Sequence, residues 1–139
     1  MSAGEENEKA VRDCFENASK RNYDALDDIV TQDYVCHPEE ARGPEGLKEM
    51  VQGYHDAIGD LRVNIDQQFS AGDYVATRIT ITGRHEGDLM GTPPTGNEVS
   101  FTGVTISRCE GGRIVEEWEL VDMMGLLGQV GALPALAKS

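Results

Sequence analysis

The sequence predicts one α+β domain in which helices come first and a curved antiparallel sheet follows. The chain has 139 residues, the usual size of a single domain, and 39% of them are hydrophobic, enough for a full core without disulfides or metals. Apolar residues recur at helical spacing up to Ile58, and from Leu61 onward they alternate with polar residues as in strands. Because no repeat or linker interrupts the chain, residues 1–139 are interpreted as one domain.

The first half of the chain carries signals for three helices. Ser2 and Glu5 form a capping-box pattern at the start of the first helix, and Pro44 fits the first turn of the third. Between the second and third helices, residues 34–42 are expected to form a loop that carries His37. The first helix has an apolar stripe of Ala10, Val11, Cys14, Phe15 and Ala18, the second covers 23–30, and the third has a stripe of Leu47, Met50, Val51, Tyr54 and Ile58.

The second half of the chain carries signals for four strands joined by turns, followed by a closing helix. The strands are expected at 61–69, 75–82, 99–109 and 113–121, and the helix at 123–130.

The third of these strands contains an irregularity. Val99 and Phe101 share one parity, whereas Val104 and Ile106 share the other. A one-residue slip reverses the two faces of a strand, so a bulge or a sharp bend near Thr102-Gly103 would turn both pairs inward. Such a bend would also curl the sheet.

The charge and the cysteine content exclude several classes of function. The net charge is −13, which repels phosphate backbones and anionic lipid surfaces, so neither nucleic acid nor membrane is an expected partner. The acidic N-terminus lacks the pattern of a signal peptide, and no apolar run is long enough to span a membrane. The three cysteines are odd in number and form no C-x-x-C pair. They are interpreted as reduced thiols in a cytoplasmic protein.

The fourth strand is the most informative segment for chemistry. On strict alternation one face carries Ile114, Glu116, Trp118, Leu120 and Asp122, so two carboxylates share a face with the only tryptophan. A carboxyl group beside apolar side chains has a raised pKa and is a better base once ionised. Two ordinary roles compete with this reading: Asp122 lies where the N-cap of the last helix belongs, and Glu116 can pair with an arginine.

Other polar side chains are weaker candidates for the site. Arg78, in the middle of a strand, can bind a substrate carbonyl or pair with Glu116 or Asp122. His37 and His85 can shuttle protons at neutral pH, although structural roles are commoner for such residues. His55 flanks the stripe of the third helix. Tyr34 and Tyr54 are further candidates for contact with a ligand.

No motif in the sequence predicts a cofactor or a metal. The chain lacks H-E-x-x-H, a phosphate-binding loop and a nucleophile elbow, and its histidines are widely spread. An enzyme of this composition is expected to move protons.

Three stretches together resemble a known family. They are Arg42-Gly43-Pro44-Glu45-Gly46, the segment Gly83-Arg84-His85-Glu86-Gly87-Asp88-Leu89-Met90-Gly91-Thr92-Pro93-Pro94-Thr95-Gly96, and Asp122-Met123-Met124-Gly125-Leu126-Leu127-Gly128-Gln129-Val130-Gly131. In this order the sequence is similar to the SnoaL-like polyketide cyclase (ester cyclase) family of the nuclear transport factor 2-like superfamily. The resemblance implies a cone of helices over a strongly curved antiparallel sheet, enclosing a pocket for a small apolar or polyketide-like carbonyl ligand. Since curved sheets of this superfamily often pair through their outer faces, it also implies a homodimer or a higher homo-oligomer.

The resemblance also implies a chemistry. Members that cyclise polyketides close a ring by intramolecular aldol condensation without a cofactor, a lyase-like reaction in which an aspartate at the end of the last strand is the acid/base. Asp122 occupies that place, with His37 or His85 assisting. Two alternatives stay open: a hydrolase that holds a water between Asp122 and Glu116, and a non-catalytic module that binds an apolar ligand or dimerises.

Overall fold

A computed structural model describes residues 1–132 of the chain. The helices are α1 (Ala3–Ser19), α2 (Leu26–Ile29, preceded by a 3₁₀ turn at Tyr23–Ala25), α3 (Gly43–Ala57) and α4 (Met123–Gln129). The strands are β1 (Val30–His37), β2 (Ala41–Arg42), β3 (Ile58–Ala71), β4 (Tyr74–His85), β5 (Glu98–Glu110) and β6 (Arg113–Val121). The last seven residues of the predicted domain, 133–139, lie outside the described residues.

The predicted α+β architecture, with helices packed on a curved sheet, is confirmed. The capping box is present, since the Ser2 hydroxyl accepts from the Glu5 N–H at 3.1 Å and the Glu5 carboxylate accepts from the Ser2 N–H at 3.4 Å. Within residues 1–132, no helix is long and apolar enough to cross a membrane.

The sheet has six strands in the order β2-β1-β6-β5-β4-β3. Its neighbours are antiparallel as predicted except for one pair: β1, which was not among the predicted strands, runs parallel to β6, so the sheet is mixed. The prediction of a loop at 34–42 is therefore wrong for Tyr34 and His37, which belong to β1. Alternate residues of this strand, Tyr34 and Cys36, are buried, a short period-two pattern that the sequence contains. As a result, β1 brings Tyr34 and His37 beside β6.

The sheet has an inner face, on which the helices pack, and an outer face that no described helix covers. Strand β5 keeps one parity throughout: Val99, Phe101 and Thr105 are buried, while Val104 is exposed. The predicted bulge at Gly103 is wrong, because Gly103 pairs in register with both Ile79 and Val121. The lack of a side chain at Gly103 instead allows the Val121 side chain of β6 to approach closely, since a Cβ at Gly103 would lie 3.0 Å from Val121 Cγ1.

A bulge that the sequence analysis did not predict lies between β5 and β6. Arg108 pairs with Glu116 and Cys109 pairs with Ile114, so Val115 is an extra residue on β6. Ile114 and Val115 are both buried as a result. The bulge shifts every later residue of β6 to the face opposite to the one that strict alternation predicts.

Candidate active site

A small cavity lies between α1, α3 and the inner face of the sheet. Its volume is about 70 Å³. It is lined by Cys14, Phe15, Ala18, Ser19, Leu47, Met50, Val51, Tyr54, His55, Leu61, Val63, Ile79, Ile81, Glu117 and Glu119. The lining is mostly apolar, and its ionisable groups include two carboxyl groups from β6. This composition is typical of a site for a small organic molecule, in which a few polar groups set the orientation.

Glu117 is the more deeply buried of the two acids, with 6% of its surface exposed. The Tyr34 hydroxyl donates to its Oε1 at 2.6 Å, and the Ser107 hydroxyl donates to its Oε2 at 2.6 Å. Burial raises the pKa of Glu117 despite these two hydrogen bonds, which favour the ionised form. Each carboxylate oxygen of Glu117 accepts a hydrogen bond from a neighbouring strand. Glu117 therefore forms the polar floor of the cavity and holds β1, β5 and β6 together.

Glu119 lies two residues further along the same face and is only partly buried. The Tyr54 hydroxyl of α3 approaches its Oε1 at 3.4 Å, a long hydrogen bond. Burial raises the pKa of Glu119 to about 7, and the neighbouring acids Glu117 and Glu39 add to the effect. Burial likewise raises the pKa of Tyr54, so its hydroxyl keeps its proton at neutral pH. The cavity therefore holds a carboxyl group that gains and loses a proton near pH 7 beside a phenolic hydrogen-bond donor.

Other groups near the cavity are held by their surroundings. His55 is buried and its Nε2 lies 2.8 Å from the carbonyl oxygen of Ala18. Cys14, Cys36 and Cys109 are buried and unpaired. Burial raises the pKa of each thiol, to about 12 for Cys36 and about 11 for Cys109, so they are inert at neutral pH. Among residues 1–132, no group of three His, Cys, Asp or Glu side chains is placed to hold a metal ion.

Four of the predicted site residues, Glu116, His37, Trp118 and Arg78, lie on the outer face instead of lining the cavity. Glu116 accepts from Arg108 at 3.4 Å and lies 2.8 Å from Nε2 of His37. The hydrogen bond from His37, supported by Arg108, lowers the pKa of Glu116. Trp118 stacks on the His37 ring with the centroids 5.6 Å apart. Glu116 and Trp118 share a face, as predicted, but it is the outer face and not the one that holds Ile114, because the bulge at Val115 reverses the parity of the strand.

Arg78 is also on the outer face and is exposed. It lies 3.7 Å from the Asp66 carboxylate and donates a long hydrogen bond to Gln67. It pairs with neither Glu116 nor Asp122.

His85 is fully buried at the end of β4. Its Nδ1 accepts from the Thr95 N–H at 3.2 Å, and its backbone carbonyl accepts from the Gly96 N–H at 2.9 Å. The residue thus holds the loop between β4 and β5, and it is not among the residues that line the cavity.

Asp122 caps helix α4, since its Oδ1 accepts from the Gly125 N–H at 2.9 Å. The residue is exposed and is not among those that line the cavity. The hydrolase arrangement is likewise not assembled there, because Glu116 faces outward. Of the residues considered from the sequence, Tyr54 and His55 line the cavity, and Tyr34 supports it through Glu117.

Glu117 and Glu119 were missed as site residues. The available signal was the adjacent apolar pair Ile114-Val115, which breaks the alternation just after the turn and indicates a bulge.

Comparison with known proteins supports the resemblance. The family model for SnoaL-like polyketide cyclases matches residues 8–130. The chain belongs to the SnoaL-like polyketide cyclase family.

Two similar relatives carry names that state a reaction. Aklanonic acid methyl ester cyclase DauD of Streptomyces sp. (strain C5) is 28% identical over 128 residues, 87% of this chain and 79% of that protein. Aklanonic acid methyl ester cyclase DnrD of Streptomyces peucetius is 28% identical over 96 residues, 68% of this chain. That second match spans 66% of the relative, slightly less than two thirds of its length.

Solved structures show the same fold. TsrD of Streptomyces laurentii has a TM-score of 0.86 at 24% identity, over 96% of this chain and 99% of that chain. AclR of Streptomyces galilaeus has a TM-score of 0.84 at 27% identity, over 98% and 91% of the two chains. The fold is the nuclear transport factor 2-like fold that the family resemblance implies.

Proposed function

We propose that this family member closes a ring in a small polyketide-like carbonyl compound by intramolecular aldol condensation, without a cofactor, and that Glu119 transfers the proton. The observation that carries the proposal is a carboxyl group with a pKa of about 7 on the wall of the cavity, beside the Tyr54 hydroxyl. A base whose pKa is near the working pH combines a useful ionised fraction with sufficient basicity.

The reaction needs one group that accepts and returns a proton. Glu119 in its carboxylate form removes a proton from a carbon that lies between two carbonyl groups, and the electron pair of the C–H bond delocalises as an enolate. The enolate carbon attacks a second carbonyl carbon of the same molecule and forms the ring. The resulting alkoxide takes the proton back from Glu119, which restores the carboxylate. Tyr54 keeps its own proton and donates a hydrogen bond to a substrate oxygen.

The charges in the cavity favour a neutral reacting group. Its lining includes Glu117 and Glu119 and no lysine or arginine. A free carboxylate on the reacting part of the substrate would be a desolvated charge beside these acids, which costs free energy. An ester or ketone is neutral and avoids that cost. The names of the two relatives specify a methyl ester.

The acid/base assignment is tested by comparing two variants. Glu119→Gln is expected to lower the turnover of aklanonic acid methyl ester by about a hundredfold or more, the usual contribution of a general base. Asp122→Asn is expected to keep the turnover, because Asn caps a helix nearly as well as Asp. The measurement is steady-state kinetics on folded proteins, together with deuterium exchange at the activated methylene of the substrate.

The opposite pattern, loss in Asp122→Asn and full activity in Glu119→Gln, would return the role of base to Asp122, as the family resemblance implies. A wild-type chain that neither converts the ester nor exchanges its methylene protons would contradict a cyclase and favour a ligand-binding module.

We further propose a cytoplasmic homodimer. The three unpaired cysteines support a reducing compartment. Exposed apolar residues on the outer face, which include Trp118 and Leu120, support association between copies of the chain.

A further inference from the structure

A second concavity lies outside the cavity, between α1 and β3. This groove has a volume of about 510 Å³, far larger than the 70 Å³ of the cavity. Four residues line both spaces: Phe15, Ser19, Leu61 and Val63. They therefore form the partition between the groove and the cavity. Ligand pockets that bury a drug-sized molecule have volumes of about 300–1,000 Å³, so the cavity alone is too small for a ligand of that size.

The partition contains a polar atom without a partner. The Ser19 hydroxyl is buried and has no hydrogen bond within residues 1–132. A buried hydroxyl without a partner is costly, and the site of such an atom is a place where a ligand or water supplies the missing bond. Its position in the lining of both spaces indicates a ligand that passes from one to the other.

The groove also contains a cation that lacks an acidic partner. Lys20 pairs with Glu16 at 2.9 Å, and Arg62 lies 3.7 Å from Asp60. Arg12 instead donates to the amide oxygen of Gln68 at 3.0 Å, and within the described chain no carboxylate lies within 4 Å of it. In a protein of net charge −13, a guanidinium free of carboxylates is available to bind an anion.

We propose that the groove between α1 and β3 is the outer half of the ligand site, and that Arg12 binds an acidic group there. The ligand is a largely apolar carbonyl compound whose reacting end enters the cavity past Phe15 and Ser19. Its other end carries a carboxylate or phenolate. This inference rests on the proposed function for the direction in which the ligand lies, but its test measures binding alone.

The charge preference is tested with two unreactive probes, anthracene-2-carboxylate and anthracene-2-carboxamide, titrated by fluorescence at pH 7. The wild-type chain is expected to bind the carboxylate more tightly. Arg12→Gln is expected to lower the affinity for the carboxylate about tenfold and to leave the affinity for the carboxamide unchanged, since one charge-assisted hydrogen bond is lost. Arg78→Gln is the matched control, because it removes the same charge from the exposed outer face.

Three results would overturn the assignment of Arg12. The wild type could bind the two probes with equal affinity, Arg12→Gln could lose the same affinity for both probes, or Arg12→Gln and Arg78→Gln could change the affinity for the carboxylate equally.

The route is tested at the partition. Phe15→Trp enlarges a side chain that separates the two spaces and is expected to slow the association of both probes, whereas Phe69→Trp on the outer face is expected to have no effect. Ser19→Ala is expected to lower the affinity for both probes several-fold. Unchanged association in Phe15→Trp together with unchanged affinity in Ser19→Ala would place the probes elsewhere. If the probes bind as expected but the chain has no cyclase activity, the groove is confirmed as a ligand site and the proposed reaction is refuted.

Discussion

The two faces of strand β6 show how differently neighbouring carboxyl groups behave in one sheet. On the outer face, hydrogen bonding from His37 and Arg108 lowers the pKa of Glu116. On the inner face, burial raises the pKa of Glu119 to about 7. The two acids lie three positions apart in the chain, and the face of the sheet decides which one is desolvated. The lesson is that proton-transfer ability depends on the parity of a residue in the strand and cannot be assigned from proximity in sequence.

The two faces also differ in how their apolar residues are covered. Inner-face residues such as Ile79 and Phe101 pack against helices. On the outer face an apolar row crosses the sheet in register from Phe69 to Ala76, Ile106 and Trp118, and the next row pairs Val104 with Leu120. Trp118 is 39% exposed and Leu120 is 74% exposed. A single chain leaves this surface in water.

The largest expected effect is on assembly and concerns the outer face. The wild-type chain is expected to be a homodimer at micromolar concentration, and Leu120→Asp is expected to convert it to a monomer of 15.1 kDa, because a charge would be buried in an apolar interface. Light scattering measures the mass. Thr82→Asp adds the same charge to an exposed position outside the apolar rows and is expected to remain a dimer. A monomeric wild type would refute the pairing.

The next effect concerns the hydrogen bonds of the inner face. Tyr34→Phe removes the donor to Glu117 while both groups stay buried, and we expect a loss of about 1–3 kcal/mol in the free energy of unfolding. Denaturant titration measures it. Tyr74→Phe, on the exposed outer face, is the matched control and is expected to change stability by less than about 0.5 kcal/mol. Equal effects of the two variants would mean that the bond between Tyr34 and Glu117 contributes nothing to stability.

The third effect is a pH dependence of stability that distinguishes the two faces. The pKa of Glu119 is about 7 in the folded chain, whereas the ordinary pKa of a glutamate is 4.5, so between these values the folded chain holds a proton that the unfolded chain has released. Glu119 therefore lowers stability as the pH rises from 4.5 to 7, by at most about 1.4 kcal/mol per pH unit. Glu119→Gln is expected to remove this slope from the urea-unfolding free energy.

Glu116→Gln is the control for that measurement. The pKa of Glu116 is lowered in the folded chain, so its contribution to stability is lost only as the pH falls below its ordinary range. The slope between pH 5 and 7 is expected to survive in this variant. An unchanged slope in Glu119→Gln would show that its carboxyl group is not desolvated.

Much of the fold was predictable because it follows from local patterns. The capping box at Ser2, the turn at Gly111-Gly112 and the strand 113–121 each depend on a few neighbouring residues, and the structure contains all three. Strand β1 was missed because its pairing partner, β6, lies about eighty residues away along the chain, and its short alternation was read as part of a loop.

The candidate site was less predictable, because one inserted residue determines it. Strict alternation places Glu116 and Trp118 inward, and the bulge at Val115 exchanges them for Glu117 and Glu119. Asp122 was identified from position and resemblance, and both of its predicted roles could be read from the sequence. In the structure its carboxylate caps α4.

By itself the sequence determined the fold class, the family, the acidic charge and the positions of most helices and strands, because these depend on composition, on local periodicity and on contiguous motifs. Only the tertiary structure decided which carboxyl groups face the cavity, which thiols are buried and where Arg12 lies relative to the mouth of the cavity. The physical reason is that desolvation and pairing are set by residues distant in sequence. Thus Tyr54 of α3 reaches Glu119 of β6 across 65 positions of the chain.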